Sequence, residues 1–406
     1  MKNALSRRDF LCTSVAGIAA SNIVYASESD SKTDSTDSRG MKGIPITRKL
    51  GDTGIILPVV NMGVMNSGNP DLVKRSYELG VRHFDTAAYY QRGRNEQMVG
   101  QAIKDLGVRE EVIIGTKVFL PHQRRDIPDS EIKEFFLETA NDSLKRLQTE
   151  YVDILYSHNV SDIEYLNNPG VLEALNELKQ AGKTRFIGFT THSNMAACIN
   201  NAATSGSYDV FATAFNYAMA DDNVLHDALT NASSAGIGII AMKTQCAQYW
   251  YRQYIPQSDQ SFYEGSIMHT AVLKWVLRHP FITTAIPGYT TFQQMNEDLP
   301  VAYDLEYTPD EKRFLEDRDV RLSLGYCRQC RDCVDRCPHG VDVPTLMRAH
   351  LYAFCYPNPH ESTDALRSIP PGKGLDTCKR CGSCSVSCSR DVNIRRRIEE
   401  LIPVYC

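Results

Sequence analysis

The chain has 406 residues, a formal net charge of −5 and 42% hydrophobic residues, which fits one large globular domain with an appendage. So mild an acidic balance gives no reason to expect nucleic acid or an anionic membrane surface as partner. Eight of its 13 cysteines fall in two short blocks after residue 326, with Cys12, Cys198, Cys246, Cys355 and Cys406 scattered, so the disulfide framework of a small secreted fold is excluded and metal ligation is favoured.

The chain opens with Ser6-Arg7-Arg8-Asp9-Phe10-Leu11, then a weakly apolar run to Tyr25 and residues tolerated by a signal peptidase at Val24-Tyr25-Ala26. That run is too short and too rich in Ser and Thr to span a bilayer comfortably. Residues 1–26 resemble a twin-arginine signal. The resemblance implies export of the folded, cofactor-loaded protein to the periplasm or another extracytoplasmic space, with no stable membrane span after cleavage. Residues 27–43, rich in Ser, Asp and Lys, read as a linker.

From residue 44 to about 317 the sequence alternates apolar strand, turn and amphipathic helix. Strands are predicted at Leu57–Val64, His83–Ala87, Val112–Val118, Val152–His158, Arg185–Thr191, Val210–Tyr217, Ile237–Thr244 and Ile282–Gly288. Helices are predicted between them at Asp71–Leu79, Asn95–Leu106, Asp129–Leu147, Gly170–Ala181, Ser193–Ala203, Asn223–Ala235 and Gly265–Leu277, with another from Thr291. Strands apolar on both faces imply a parallel sheet, and eight such units imply a closed (β/α)8 TIM barrel. An open doubly wound sheet loses support because no Gly-x-Gly-x-x-Gly follows the first strand.

A barrel places its chemistry where strands end. Asp85 and Tyr90 follow the second strand, Lys117 the third and His158 the fourth. Singly, such residues are usually caps, packing or structural groups. Together they suit carbonyl reduction, in which hydride addition leaves an oxygen that needs a proton. Tyr90 would donate it, Lys117 would lower the phenol's pKa, Asp85 would hold Lys117 charged, and His158 would polarise the carbonyl.

His83-Phe84-Asp85-Thr86-Ala87-Ala88-Tyr89-Tyr90, with Asn95-Glu96 and Gly100, resembles the aldo-keto reductase signature. Ile114-Gly115-Thr116-Lys117, Tyr151 to His158, and Arg48 to Gly54 resemble that family's lysine strand, histidine strand and floor hairpin. The resemblance covers 44–317 and implies a nicotinamide cofactor, NAD or NADP, with a small-molecule carbonyl or alcohol substrate. It places the cofactor against Thr190 and Thr191 (usually Ser-Asn), Asn216, Tyr217, Lys243, Gly288, Gln294 and Glu297. Relatives that prefer NADP carry Lys and Arg where this chain has Gly288 and Gln294, so NAD is favoured; Lys243 could substitute electrostatically.

The third region is 318–406. Cys327-x2-Cys330-x2-Cys333-x3-Cys337-Pro338 has the spacing of a bacterial ferredoxin run, repeated as Cys378-x2-Cys381-x2-Cys384-x3-Cys388. Zinc sites take four ligands in paired units, so two four-cysteine runs favour a small ferredoxin-like domain with two [4Fe–4S] clusters. One cluster would take Cys327, Cys330, Cys333 and Cys388, the other Cys378, Cys381, Cys384 and Cys337. The insert from Pro338 to Thr377 exceeds that of compact ferredoxins. The clusters either pass electrons, for instance to a redox partner protein, or brace the fold. The competing expectation is an electron-transfer protein whose barrel is a scaffold without nicotinamide turnover.

Overall fold

The computed structural model describes residues 41, 43–245, 266–317, 326–356 and 358–406. The signal segment 1–26, nearly all of the linker, Cys12, Cys246 and residues 318–325 lie outside the described residues.

An antiparallel hairpin, β1 (Thr47–Lys49) and β2 (Ile56–Pro58), precedes eight parallel strands: β3 (Met62–Gly63), β4 (His83–Asp85), β5 (Ile113–Phe119), β6 (Val152–His158), β7 (Thr184–Thr191), β8 (Val210–Ala214), β9 (Gly238–Met242) and β10 (Thr284–Ala285). They run in sequence order, and bridges Val60↔Ala285 and Gly63↔Gly288 join the last strand to the first. The result is the predicted (β/α)8 barrel. A Cβ on Gly63 would meet the Ile286 carbonyl oxygen at 2.8 Å, so this closure requires glycine there.

Several predicted strands are shorter than expected, Ile282–Gly288 contracting to Thr284–Ala285, and two differ for a visible local reason. Leu57–Val64 divides, because Ile56–Pro58 pairs with the hairpin while Met62–Gly63 enters the barrel. Val210–Tyr217 stops at Ala214, because the buried Asn216 side chain accepts from the Ala218 amide and starts a 3-10 turn over Tyr217–Met219.

The hairpin closes the barrel floor. Arg48 donates to the carbonyls of Leu277 (2.6 Å) and Ile282 (2.6 Å), and Leu50 and Leu57 join the interior cluster of Ile154, Tyr156, Val210 and Ile240. A larger apolar layer lies between strands and outer helices. This arrangement leaves the opposite end, where strands finish, for polar side chains.

Beyond residue 326 the helices Val343–His350, Pro359–Arg367, Leu375–Cys381 and Ile394–Tyr405 surround a separate apolar cluster centred on Leu346, Ile398 and Leu401. Residues 40–406 form one compact unit. No helix among the described residues is long and apolar enough to cross a membrane.

Candidate active site

Asp85 ends β4, Lys117 lies near the end of β5, and His158 ends β6. Tyr90 begins the turn Tyr90–Gly93, in which Gln91 (φ 50°) and Arg92 (φ 58°) adopt left-handed backbone. Neighbouring signature residues hold this loop. Asn95 accepts from Thr86 (2.7 Å) and donates to the Val64 carbonyl (2.8 Å). Buried Glu96 accepts from Thr116 (2.5 Å) and Arg146 (2.6 Å).

The four expected catalytic side chains meet and are buried: Asp85 is 4% exposed, Tyr90 7%, Lys117 1% and His158 2%. The Lys117 ammonium donates to Asp85 and to the Thr86 carbonyl (2.5 Å). It lies 5.1 Å from the centroid of the Tyr90 ring, whose centroid is 5.9 Å from that of His158.

One expectation needs correction. Burial, seconded by Asp85, pushes the Tyr90 phenol well above its usual value. Lys117 directs its hydrogen bonds to Asp85 and the Thr86 carbonyl, away from the phenol oxygen. Burial also depresses Lys117, and burial with Lys117, Arg348 and Lys243 holds His158 well below the usual imidazole range.

The expected cofactor residues divide into two groups. Gly288, Gln294, Glu297 and Lys243 line a cavity of about 220 Å3 that also reaches Asp85 and Tyr90. Asn216 is buried at the same strand ends, and among the described residues its Nδ2 has no hydrogen-bond partner, like Asp85 Oδ2, His158 Nδ1, Thr213 Oγ1 and Thr244 Oγ1. Buried polar atoms left unpaired are costly, so this set fits a polar ligand. Thr190 and Thr191 are already engaged: Thr190 accepts from the Asn159 amide (2.9 Å) and Thr191 donates to the Ser193 carbonyl (3.0 Å). Tyr217 packs away from the cavity, its hydroxyl donating to the Leu315 carbonyl and its ring edge-on to Trp275 at 5.4 Å.

Gln294 is exposed, and its Oε1 accepts from the Thr290 amide (2.8 Å) and, in a helix capping box, from the Thr291 amide (3.3 Å). Lys243 directly follows β9 in left-handed backbone (φ 57°), a conformation costing about 1–2 kcal/mol that clusters at functional sites. Its ammonium lies 4.7 Å and 5.0 Å from the ring centroids of Tyr352 and Tyr356, and burial lowers its pKa to about 8.

Those two tyrosines belong to the insert between the cysteine runs, which roofs the barrel mouth. Arg348 donates to Asn159 (3.2 Å) and Asn358 to Asn66 (2.8 Å). Glu361 is 2% exposed, hydrogen-bonded to Tyr89, and pushed up to about 7 by burial, with Lys243 opposing. Sequence reasoning missed Arg348, Tyr352 and Glu361. The available signal was the length of the insert, which gives the chain enough reach to cover the mouth.

The eight cysteines of the two runs are free thiols, and they gather as two sets. The Cys327 thiol is raised to about 12 by burial, and Cys333 and Cys388 add to this; Cys388 also acts on Cys330 and Cys333. Cys378 is raised to about 12 by burial, with Cys384, Cys337 and Cys381 adding. The first run is thus influenced by Cys388 of the second, and Cys378 of the second by Cys337 of the first. Gln329 Nε2 donates to Cys327 Sγ and the Arg390 amide to Cys388 Sγ, both at 3.3 Å, as in the N–H···S bonds around iron–sulfur clusters. Among the described residues no three His, Cys, Asp or Glu side chains converge tightly enough to hold a single metal ion.

Residues 65–253 match the profile of the Aldo/keto reductase family. An L-galactose dehydrogenase of Arabidopsis thaliana is 27% identical over 290 residues, 64% of this chain and 88% of that protein. An L-glyceraldehyde 3-phosphate reductase of Escherichia coli is 24% identical over 322 residues, 65% of this chain and 89% of the other. An aldo-keto reductase of Bacillus halodurans in its holo form superposes with a TM-score of 0.54 at 22% identity, over 68% of this chain and all (100%) of its own. One from Klebsiella pneumoniae, in complex with NADP and acetate, gives 0.52 at 21% identity, over 67% and 95% respectively. The signature at β4 and the four side chains gathered at the strand ends agree with the match of residues 65–253 to the Aldo/keto reductase family.

Proposed function

We propose that this protein is a nicotinamide-linked oxidoreductase that reduces a carbonyl compound, or oxidises the corresponding alcohol, at the barrel mouth. The observation that carries this reading is the meeting of Asp85, Tyr90, Lys117 and His158 beside a cavity of about 220 Å3. A bound nicotinamide would supply the hydride. Asn216, Gly288, Gln294, Glu297 and Lys243 would hold the nucleotide. His158, kept neutral, would donate a hydrogen bond to the carbonyl oxygen, and Tyr90 would deliver the proton. The raised pKa of Tyr90 keeps it a donor at neutral pH, which favours the reductive direction.

NAD is the favoured cofactor. Gln294 is occupied in its capping box, Gly288 has no side chain, and Glu297 would repel a 2′-phosphate. The Klebsiella pneumoniae relative, in contrast, was solved with NADP.

The two cysteine sets would hold two [4Fe–4S] clusters, supported by the influence of cysteines of one run on those of the other and by N–H···S bonds to Cys327 and Cys388. The clusters would relay single electrons or brace the roof. Arg7-Arg8 and the run behind it support export by the twin-arginine route to an extracytoplasmic compartment.

A second reading is an electron-transfer protein with a silent barrel. It is favoured by the roof, which leaves Lys117 and His158 at 1% and 2% exposure. Fluorescence titration of the cluster-loaded protein with NADH and NADPH separates the two: saturable binding, tighter for NADH, supports the reductase, and no binding of either supports the second reading.

A further inference from the structure

Away from the nucleotide groove, a second cavity of about 410 Å3 opens where the barrel meets the cysteine-bearing region. Its barrel wall carries His122, Arg125 and Asp162. Its other wall carries Arg331, Asp342, Arg348 and Lys373. Four permanent cations thus face two carboxylates, in a chain whose overall charge is −5.

Each carboxylate is paired within the cavity wall, Asp162 with Arg125 and Asp342 more loosely with Arg331, which leaves Arg348 and Lys373 in excess. Asp162 accepts from the Tyr165 amide (2.7 Å), Ser161 (3.0 Å) and Arg125 (3.1 Å). Asp342 accepts from the Thr345 hydroxyl (2.8 Å) and reaches Arg331 only at 3.7 Å. Arg348 and Lys373 have no carboxylate partner among the described residues: Arg348 donates to the Asn159 side-chain carbonyl (3.2 Å) and Lys373 to the His339 carbonyl (3.1 Å). Arg125, paired with Asp162, keeps its buried Nε without a partner among the described residues. Burial, followed by Arg125, holds His122 below its usual value, so it serves as a neutral hydrogen-bonding group.

A concave, positively charged pocket of this size accommodates a small organic molecule rather than a bare ion. Guanidinium forks recognise phosphate and carboxylate oxygens. We propose that this cavity binds a small organic dianion, a phosphate monoester or a dicarboxylate, at a site separate from the nucleotide groove and built jointly by barrel and C-terminal region. Arg125 from one wall and Arg331, Arg348 and Lys373 from the other would share its charge. The ligand would then fasten the roof-bearing region to the barrel, because a ligand bound to the folded form alone stabilises it.

The test is calorimetric titration of the cluster-loaded full chain with inorganic phosphate and, separately, with succinate, at ionic strength held constant with chloride. Saturable binding of phosphate assigns the phosphate monoester, and saturable binding of succinate assigns the dicarboxylate. Either is expected to raise the thermal midpoint. Arg125→Gln and Lys373→Gln, on opposite walls, should each weaken it about tenfold, as expected for one lost charge-assisted bond. Lys145→Gln, on a remote helix, should leave it unchanged. Iron content, measured on every variant, separates ligand loss from cluster loss. No saturable binding of either anion, or binding unaffected by both wall substitutions, overturns the proposal.

Discussion

The ammonium of Lys117 lies 5.1 Å from the centre of the Tyr90 ring while its hydrogen bonds go to Asp85 and the Thr86 carbonyl. Tyr90 therefore keeps its proton until a stronger base forms beside it, which an alkoxide would be. Tyr90→Phe should lower reductive turnover at least about 100-fold, the scale of lost acid catalysis, with nucleotide binding and thermal midpoint retained. Because the phenol's pKa is raised, its protonated form persists as pH rises through the usual phenol range. Reductive kcat/KM should consequently show no loss from this group between about pH 6 and 9, whereas alcohol oxidation should climb with pH. Paired pH–rate profiles check both.

The buried Lys117–Asp85 pair is structural as well as chemical. Lys117→Met leaves Asp85, 4% exposed, without its partner, and removing one member of such a pair costs about 3–5 kcal/mol. Urea denaturation should report that loss. The double variant Lys117→Met with Asp85→Asn should recover part of it but no turnover.

Nucleotide preference should respond at Gln294. Wild type should bind NADH more tightly than NADPH. Gln294→Arg supplies a cation at the cavity edge and should improve NADPH affinity about tenfold or more. It should also cost about 1 kcal/mol through the lost capping box. Fluorescence titration measures the first effect and thermal melting the second.

Glu361 brings a pH dependence from the roof. Its folded pKa of about 7 lies above the ordinary 4.5. Between these values the folded state binds the extra proton, so stability should decline as pH rises from 4.5 to 7 and level off above. Glu361→Gln should flatten that decline. Denaturation midpoints across this range, compared between the two proteins, provide the check.

If each proposed cluster takes one cysteine from the other run, each would depend on both runs. Cys327→Ser and Cys378→Ser should each remove about half of the bound iron. Cys388→Ser should weaken the cluster of Cys327 rather than that of its own run, a distinction visible in the paramagnetic resonance spectrum of the reduced protein.

The barrel was legible because its strands are apolar on both faces and each precedes an amphipathic helix; Val152–His158 and Asp129–Leu147 begin and end as predicted. The tetrad was legible because the end of a strand is a position that sequence can locate. The division of Leu57–Val64 was not, since the residues on either side of Pro58 share one apolar run and only pairing partners separate them. The contacts of Tyr217 with Leu315 and Trp275 were not legible, because the Asn216 cap turns the chain after Ala214. Arg348, Tyr352 and Glu361 reach the mouth across a large sequence separation, which no local pattern encodes.

The reductase reading requires hydride to pass from a nicotinamide to a carbonyl carbon while Tyr90 gives its proton to the oxygen. It is tested most directly with NADH carrying deuterium at its transferable position, incubated anaerobically with the cluster-loaded protein and a panel of small aldehydes and ketones. Deuterium should appear on the carbinol carbon of at least one product, at a rate at least about 100-fold lower when Tyr90→Phe is used. Absence of label from every product, in a protein shown to contain its clusters and to bind NADH, would contradict that reading.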